Sequence, residues 1–102
     1  MNQIIISGKV VELIDHQHED DSAISLKIKN IEIFGSTPKI STITVSARGS
    51  LQTFVESELS IGDDVLVVGR YKTYTKPFGG AISYRSMVIA SSITKEEFKQ
   101  YE

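Results

Sequence analysis

Residues 46–90 read SARGSLQTFVESELSIGDDVLVVGRYKTYTKPFGGAISYRSMVIA. The stretch opens on a strand end, Ser46-Ala47-Arg48. Gly49-Ser50 then starts a short helix, with Ser50 as the expected N-cap for LQTFVESEL. Leu51, Phe54, Val55 and Leu59 fall at i, i+3, i+4 and i+8, the spacing of one apolar helical face. Ile61-Gly62-Asp63-Asp64 is a turn. It leads into a strand from Val65 to about Lys76, in which Val65, Val67, Gly69 and Tyr71 share the inward parity. Leu66, Val68, Arg70, Lys72, Tyr74 and Lys76 share the outward one. Pro77-Phe78-Gly79-Gly80 is hairpin-tip chemistry, and a last strand follows from about Ile82 to Ile93. Strand, helix, strand, hairpin and strand make the second half of a small closed β-barrel.

The first half of the chain supplies the missing strands. In residues 2–14, Ile4, Ile6, Gly8 and Val10 share a parity, opposed by Gln3, Ser7 and Lys9, with Glu12 on the polar side. Gly8 within this run predicts a bulge or a barrel-corner bend. Ile5 and Val11 break the alternation, and either a second subunit or a loop would cover them. Asp15 to Ser22 is a polar loop. Residues 23–34 are a strand with Ile24, Leu26 and Ile28 inward and Ser25, Lys27 and Lys29 outward, continuing through Ile31, Ile33 and Phe34 after a register change near Asn30. Gly35-Ser36-Thr37-Pro38 reads as a turn. Residues 40–48 are a third strand, with Ile43, Val45 and Ala47 inward and Thr42, Thr44, Ser46 and Arg48 outward.

The order β-β-β-α-β-β predicts an all-β fold: a five-stranded OB-fold Greek-key barrel with one short helix between strands 3 and 4. Residues 1–93 form the domain, and residues 94–102, TKEEFKQYE, read as a short polar tail, helical for at most a turn or two.

At 102 residues there is room for one domain and one modest core. The sequence has no cysteine, which removes disulfides and Cys-ligated zinc and fits a reducing cytoplasm. The apolar runs are too short to span a bilayer, and the first residues lack the basic and apolar regions of a secretory signal. Net charge is −2, so the chain as a whole is not the basic body that would by itself mark a nucleic-acid binder. The distribution is uneven, however. Acids cluster at Asp15, Glu19, Asp20 and Asp21 and again at the end, whereas Arg70 to Arg85 holds Arg70, Lys72, Lys76 and Arg85 with no acid between them.

Catalytic chemistry finds no support. His16 and His18 beside Glu19, Asp20 and Asp21 have metal-ligand types, but a flexible loop lacks the pre-organisation of a site. Neither GxxxxGK[ST] nor GxGxxG occurs. Asp63-Asp64 is explained by a turn without any acid-base role. The expectation is no enzyme, no metal and no cofactor.

The outward faces are more telling. Strands 2, 3 and 4 present Lys27, Lys29, Thr44, Ser46, Arg48, Arg70, Lys72, Tyr74 and Lys76 on one predicted surface, with Arg85 on the closing strand. Single-stranded nucleic acid uses such a face in two ways: cations follow the phosphates and bases stack on rings. Tyr74, Phe78 and Tyr84 are the candidate platforms, Phe34 a weaker one. The plainer reading is that Tyr84 packs on the barrel and the lysines keep an exposed sheet soluble. Outward apolar parity at Ile5, Leu66 and Val68 predicts either a homo-oligomer contact or packing under the N-terminal strand or the tail.

Several segments then resemble one family. NQIIISGKV at 2–10 is similar to the opening strand of bacterial-type single-stranded DNA-binding proteins, where an Asn precedes an apolar run ending in Gly-x-hydrophobic. Arg48 to Arg70, with Leu51, Leu59, Gly62, Val65 and Gly69, resembles that family's passage from strand 3 to strand 4. Ser83-Tyr84-Arg85 with Val88 resembles its last strand. The resemblance covers almost the whole chain. It implies sequence-independent, non-catalytic binding of single-stranded DNA in replication, recombination or repair, in a dimer or tetramer, with Arg48, Arg70, Lys72, Tyr74 and Lys76 on the DNA face. The sequence departs from the family in having no tryptophan, with Thr42 and Lys76 near the stacking positions, and in ending at Glu102 without the glycine-rich, acidic-tipped tail. Charge should therefore outweigh stacking. A tail-less domain also resembles the primosomal replication protein of the same fold, or a phage or mobile-element version of the binding protein. Rival expectations are an OB module that docks replication proteins and binds nucleic acid weakly, and an OB domain for RNA or an oligosaccharide.

Overall fold

The computed structural model describes residues 2–15, 23–34 and 37–96. Its elements are β1 (Ile4–Asp15), β2 (Ala23–Phe34), β3 (Thr37–Arg48), α1 (Ser50–Glu58), β4 (Asp64–Phe78) and β5 (Ala81–Glu96). The strands close into a barrel in the order β1-β2-β3-β5-β4. All neighbours are antiparallel except β3 and β5, which meet in parallel through Val45–Val88 and Ser46–Ile89. This is the OB-fold predicted from the order of elements.

Closure depends on β1 serving two neighbours. Ile4 to Lys9 pairs with β4, and Lys9 to Asp15 pairs with β2. Gly8 sits at the changeover, where a Cβ would collide with Ile28 Cγ2 and lie 2.7 Å from the Lys29 carbonyl oxygen. Only a residue without a side chain lets the strands approach so closely. Gly8 thus marks the barrel-corner bend, one of the two alternatives expected there, and the bulge of this strand lies further on. The β1–β2 register slips between Val10 and Glu12, leaving Val11 as the extra residue. That slip explains the broken alternation: Val10 is buried, Leu13 packs on the core, and Glu12 lies on the outer side. The register change expected near Asn30 does not occur, because β2 and β3 pair without interruption from Ala23–Arg48 to Phe34–Thr37. Asn30 instead donates from Nδ2 to the Ser7 carbonyl at 2.7 Å, across the corner.

The core contains Val10, Ile24, Leu26, Ile28, Val45, Ala47, Val65, Val67, Val88 and Ile93, joined by Val55 and Leu59 of the helical segment. Each fully buried aliphatic side chain contributes about 1.5–3 kcal/mol through removal from water. The helix packs against β2, β3 and β5 through the predicted face, with Leu51 and Phe54 beside Val55. Its cap differs from expectation. Ser50 is the first helical residue, and Gly49 is the N-cap at φ 62, ψ −129, a conformation a side chain would resist. The following turn is tied to β1: Gly62 N–H donates to the Val10 carbonyl and Val10 N–H to the Asp63 carbonyl, both at 2.8 Å. Asp63 Oδ2 accepts from Ser60 N–H at 2.8 Å and faces Lys95 Nζ at 3.6 Å, while Asp64 faces Lys9 at 3.4 Å. Both acids are occupied in structure, as the turn reading had it.

Two hairpins outgrow the barrel. β4 and β5 stay paired to Phe78–Ala81, well beyond Gly69, and β2 and β3 run out to Phe34–Thr37. The radius of gyration is accordingly 15.1 Å, against about 13 Å for a compact chain of this length. Tyr71, expected inward, keeps that parity opposite the core residue Val88 but lies at the rim of the barrel and is 46% exposed. Strand ends also shift. β3 begins at Thr37, inside the expected turn, and β5 continues through Thr94, Lys95 and Glu96, which pair with Leu66, Val65 and Asp64 and so are not tail. The remaining tail, residues 97–102, and the loop with His16 and His18 lie outside the described residues.

Candidate nucleic-acid interface

A groove of about 490 Å³ lies where the β4–β5 arm meets the outer face of β2 and β3. Its composition follows from strand parity. On β2 and β3, Ser25 pairs with Ser46, Lys27 with Thr44 and Ala23 with Arg48, and all six line the groove. Ser25 and Ser46 are buried and form its floor. On the arm, Tyr74 is paired with Arg85, and Lys76 and Met87 lie on the same face two residues away on their respective strands. These four complete the wall, together with Ile14 of β1.

Among the described residues the lining holds four cations, Lys27, Arg48, Lys76 and Arg85, and no carboxylate. Cations gathered in a cleft with low-dielectric walls focus a positive potential there, although the whole chain is acidic. Lys76 and Arg85 are exposed on the arm, and among the described residues neither has a carboxylate within ion-pair distance. Lys27 is different: its Nζ lies 3.3 Å from Glu12 Oε2.

The structure brings seven residues of the predicted surface to this groove: Lys27, Thr44, Ser46, Arg48, Tyr74, Lys76 and Arg85. Lys72 and Arg70 continue the same face of β4 toward the barrel. Arg70 lines a second depression with Asn2, Gln3, Gly69 and Ser91. There Asn2 extends the β1–β4 ladder with its side chain, donating to the Tyr71 carbonyl at 2.8 Å and accepting from Tyr71 N–H at 3.3 Å. Lys29 is outside the groove, between Lys9 and Thr42 on the sheet. Tyr84, 81% exposed, sits on the opposite face of the arm from Tyr74, opposite Thr75 and near the exposed Ile82. Phe78 ends β4 at the tip, paired with Ala81. Phe34 ends β2 at the far end of the other hairpin.

Sequence reasoning missed Met87 and Ile14. Met87 was within reach, since it shares parity with Arg85. Ile14 was not: simple alternation from Val10 turns it inward, and only the Val11 bulge turns it outward. Among the described residues no cluster of three or more His, Asp or Glu could hold a metal, and no helix is long and apolar enough to cross a membrane.

No family model and no curated relative matches the sequence. Solved structures do match. The Plasmodium falciparum SSB in complex with ssDNA superposes with a TM-score of 0.80 at 16% identity, covering 95% of this chain and 96% of that one. A small single-stranded DNA-binding protein from Mycoplasma pneumoniae gives 0.76 at 14% identity, with 99% of each chain covered. One from Streptomyces coelicolor gives 0.66 at 23% identity, covering 94% and 96%. At these identities the likeness is one of fold, over nearly the full length, and it bears out the structural side of the family resemblance.

Proposed function

We propose that this chain binds single-stranded DNA without sequence preference and without catalysis, serving replication, recombination or repair in the cytoplasm. The gathering of four cations and Tyr74 in one groove carries the reading. Phosphates would run along Lys27, Arg48, Lys76 and Arg85 while a base stacks on Tyr74. Lys72 and Arg70 would follow the strand out of the groove along β4, with Phe78 and Tyr84 offering rings at the arm and Lys29 a flanking charge. The shared fold of proteins whose names state single-stranded DNA binding supports the same assignment. The test is a titration of fluorescent oligo-dT at low salt, with poly-U and duplex DNA as competitors. Binding that poly-U competes equally would widen the ligand to RNA; no binding to oligo-dT would end the proposal.

We also place a contact with a second copy on the outer face of β1 and β4, toward a dimer or tetramer. Ile5, 65% exposed, lies directly across from Val68, with Leu66 two residues along. Light scattering reads the mass, and Ile5→Lys should lower it. A second reading, a module that docks replication proteins, draws on Ile82 and Tyr84, which are exposed on the arm face turned from the groove. It would be favoured if oligo-dT binding were negligible while a purified helicase or primase bound the chain in a Tyr84-dependent way.

A further inference from the structure

We infer that Glu12 is a built-in competitor for phosphate at Lys27, a carboxylate that limits how tightly the groove holds a nucleic-acid strand. The inference rests on the nucleic-acid reading of the groove. In an unbroken strand Glu12 would share the inward parity of Val10. The extra residue at Val11 turns it to the outer face, where it pairs across the ladder with Lys27. Its Oε2 then lies 3.3 Å from Lys27 Nζ. Lys27 lines the groove and Glu12 does not, so one ammonium serves both the carboxylate beside it and any phosphate entering the groove.

The pair is built to exchange. The two side chains are 40% and 50% exposed, and an ion pair so open to water holds its partners weakly and is screened by salt. A phosphate reaching Lys27 must displace the Glu12 carboxylate or bind beside it, and either costs affinity. Among the described residues the wall opposite has no such acid: Lys76 and Arg85 lie on the arm with Tyr74 and Met87. The charge of Lys27 is therefore already partly claimed, on the β1–β2 side, while Lys76 and Arg85 of the arm have no carboxylate within ion-pair distance among the described residues. A binder that must release its strand to other proteins gains from such a limit.

The experiment compares wild-type protein with Glu12→Gln in titrations of fluorescent oligo-dT at about 50 mM salt. Removing the negative charge and keeping the shape should tighten binding about two- to fivefold, the range of an exposed ion pair. Lys27→Ala should abolish the gain, so that Glu12→Gln made in that background changes little. Glu58→Gln, at the exposed end of α1, alters net charge equally and should leave affinity unchanged. Unchanged or weaker binding by Glu12→Gln would overturn the inference, weaker binding meaning that Glu12 positions Lys27 instead. An equal gain from Glu58→Gln would overturn it too, as a net-charge effect. If wild-type protein fails to bind at all, the nucleic-acid reading falls first; if it binds and Glu12→Gln is no tighter, only the role of Glu12 falls.

Discussion

Replacing Lys76 and Arg85 together by alanine should halve the part of the salt dependence that the four groove cations contribute. Each phosphate neutralised on a single strand contributes roughly 0.7 log unit of affinity per log unit of salt, so four groove cations give a slope of about −2.8. Raising salt from about 50 to about 200 mM should then weaken wild-type binding about 50-fold. The double variant keeps Lys27 and Arg48, and its slope should be about −1.4, a loss of about sevenfold over the same range. Lys76 and Arg85 suit the test because both are exposed on the arm, outside the core that holds the barrel together. Their loss should leave the unfolding midpoint in place. Fluorescence anisotropy of labelled oligo-dT across a salt series measures both slopes. A double variant that binds more weakly but keeps the wild-type slope would refute the assignment of these cations to phosphates. A wild-type slope near zero would refute a charge-dominated groove altogether.

Tyr74→Ala should cost about 1–3 kcal/mol of binding, if one base stacks on that ring, and Tyr74→Phe should recover most of it in the same titration. Lys29→Ala should change affinity and salt slope less than Lys76→Ala, since Lys29 lies outside the groove. Gly8→Ala should destabilise the fold by about 1–3 kcal/mol or more, because the new methyl group meets Ile28 Cγ2 and the Lys29 carbonyl in a packed corner; urea unfolding followed by circular dichroism reads the loss.

Period-two alternation named the core of β2, β3 and β4 correctly, from Ile24 to Val67, because a strand with one buried face must place every second side chain in the interior. The helix was legible for the same kind of reason, with Leu51, Phe54, Val55 and Leu59 on its packed face. Alternation failed where its premise did. Tyr71 has inward parity but sits at the rim of the barrel beside Val88, and Ile14 follows a bulge that no residue type announces. The cations of the arm were visible as an acid-free run, but not the way the arm divides them. Parity puts Tyr74 and Arg85 on one face and Tyr84 on the other.

By itself, then, the sequence determined the element order, the barrel class and the chemistry available to a site: cations, hydroxyls and a few rings, with no cysteine and no tryptophan. These follow from local periodicity and composition, which each segment carries alone. Only the tertiary structure decided which of those residues meet. Curvature at Gly8, the slipped register at Val11 and the extension of β4 and β5 past the barrel bring Lys27 and Arg48 within one groove of Lys76 and Arg85. They leave Lys29 and Tyr84 outside it. Those placements come from contacts between residues far apart in the chain, and no single segment encodes them.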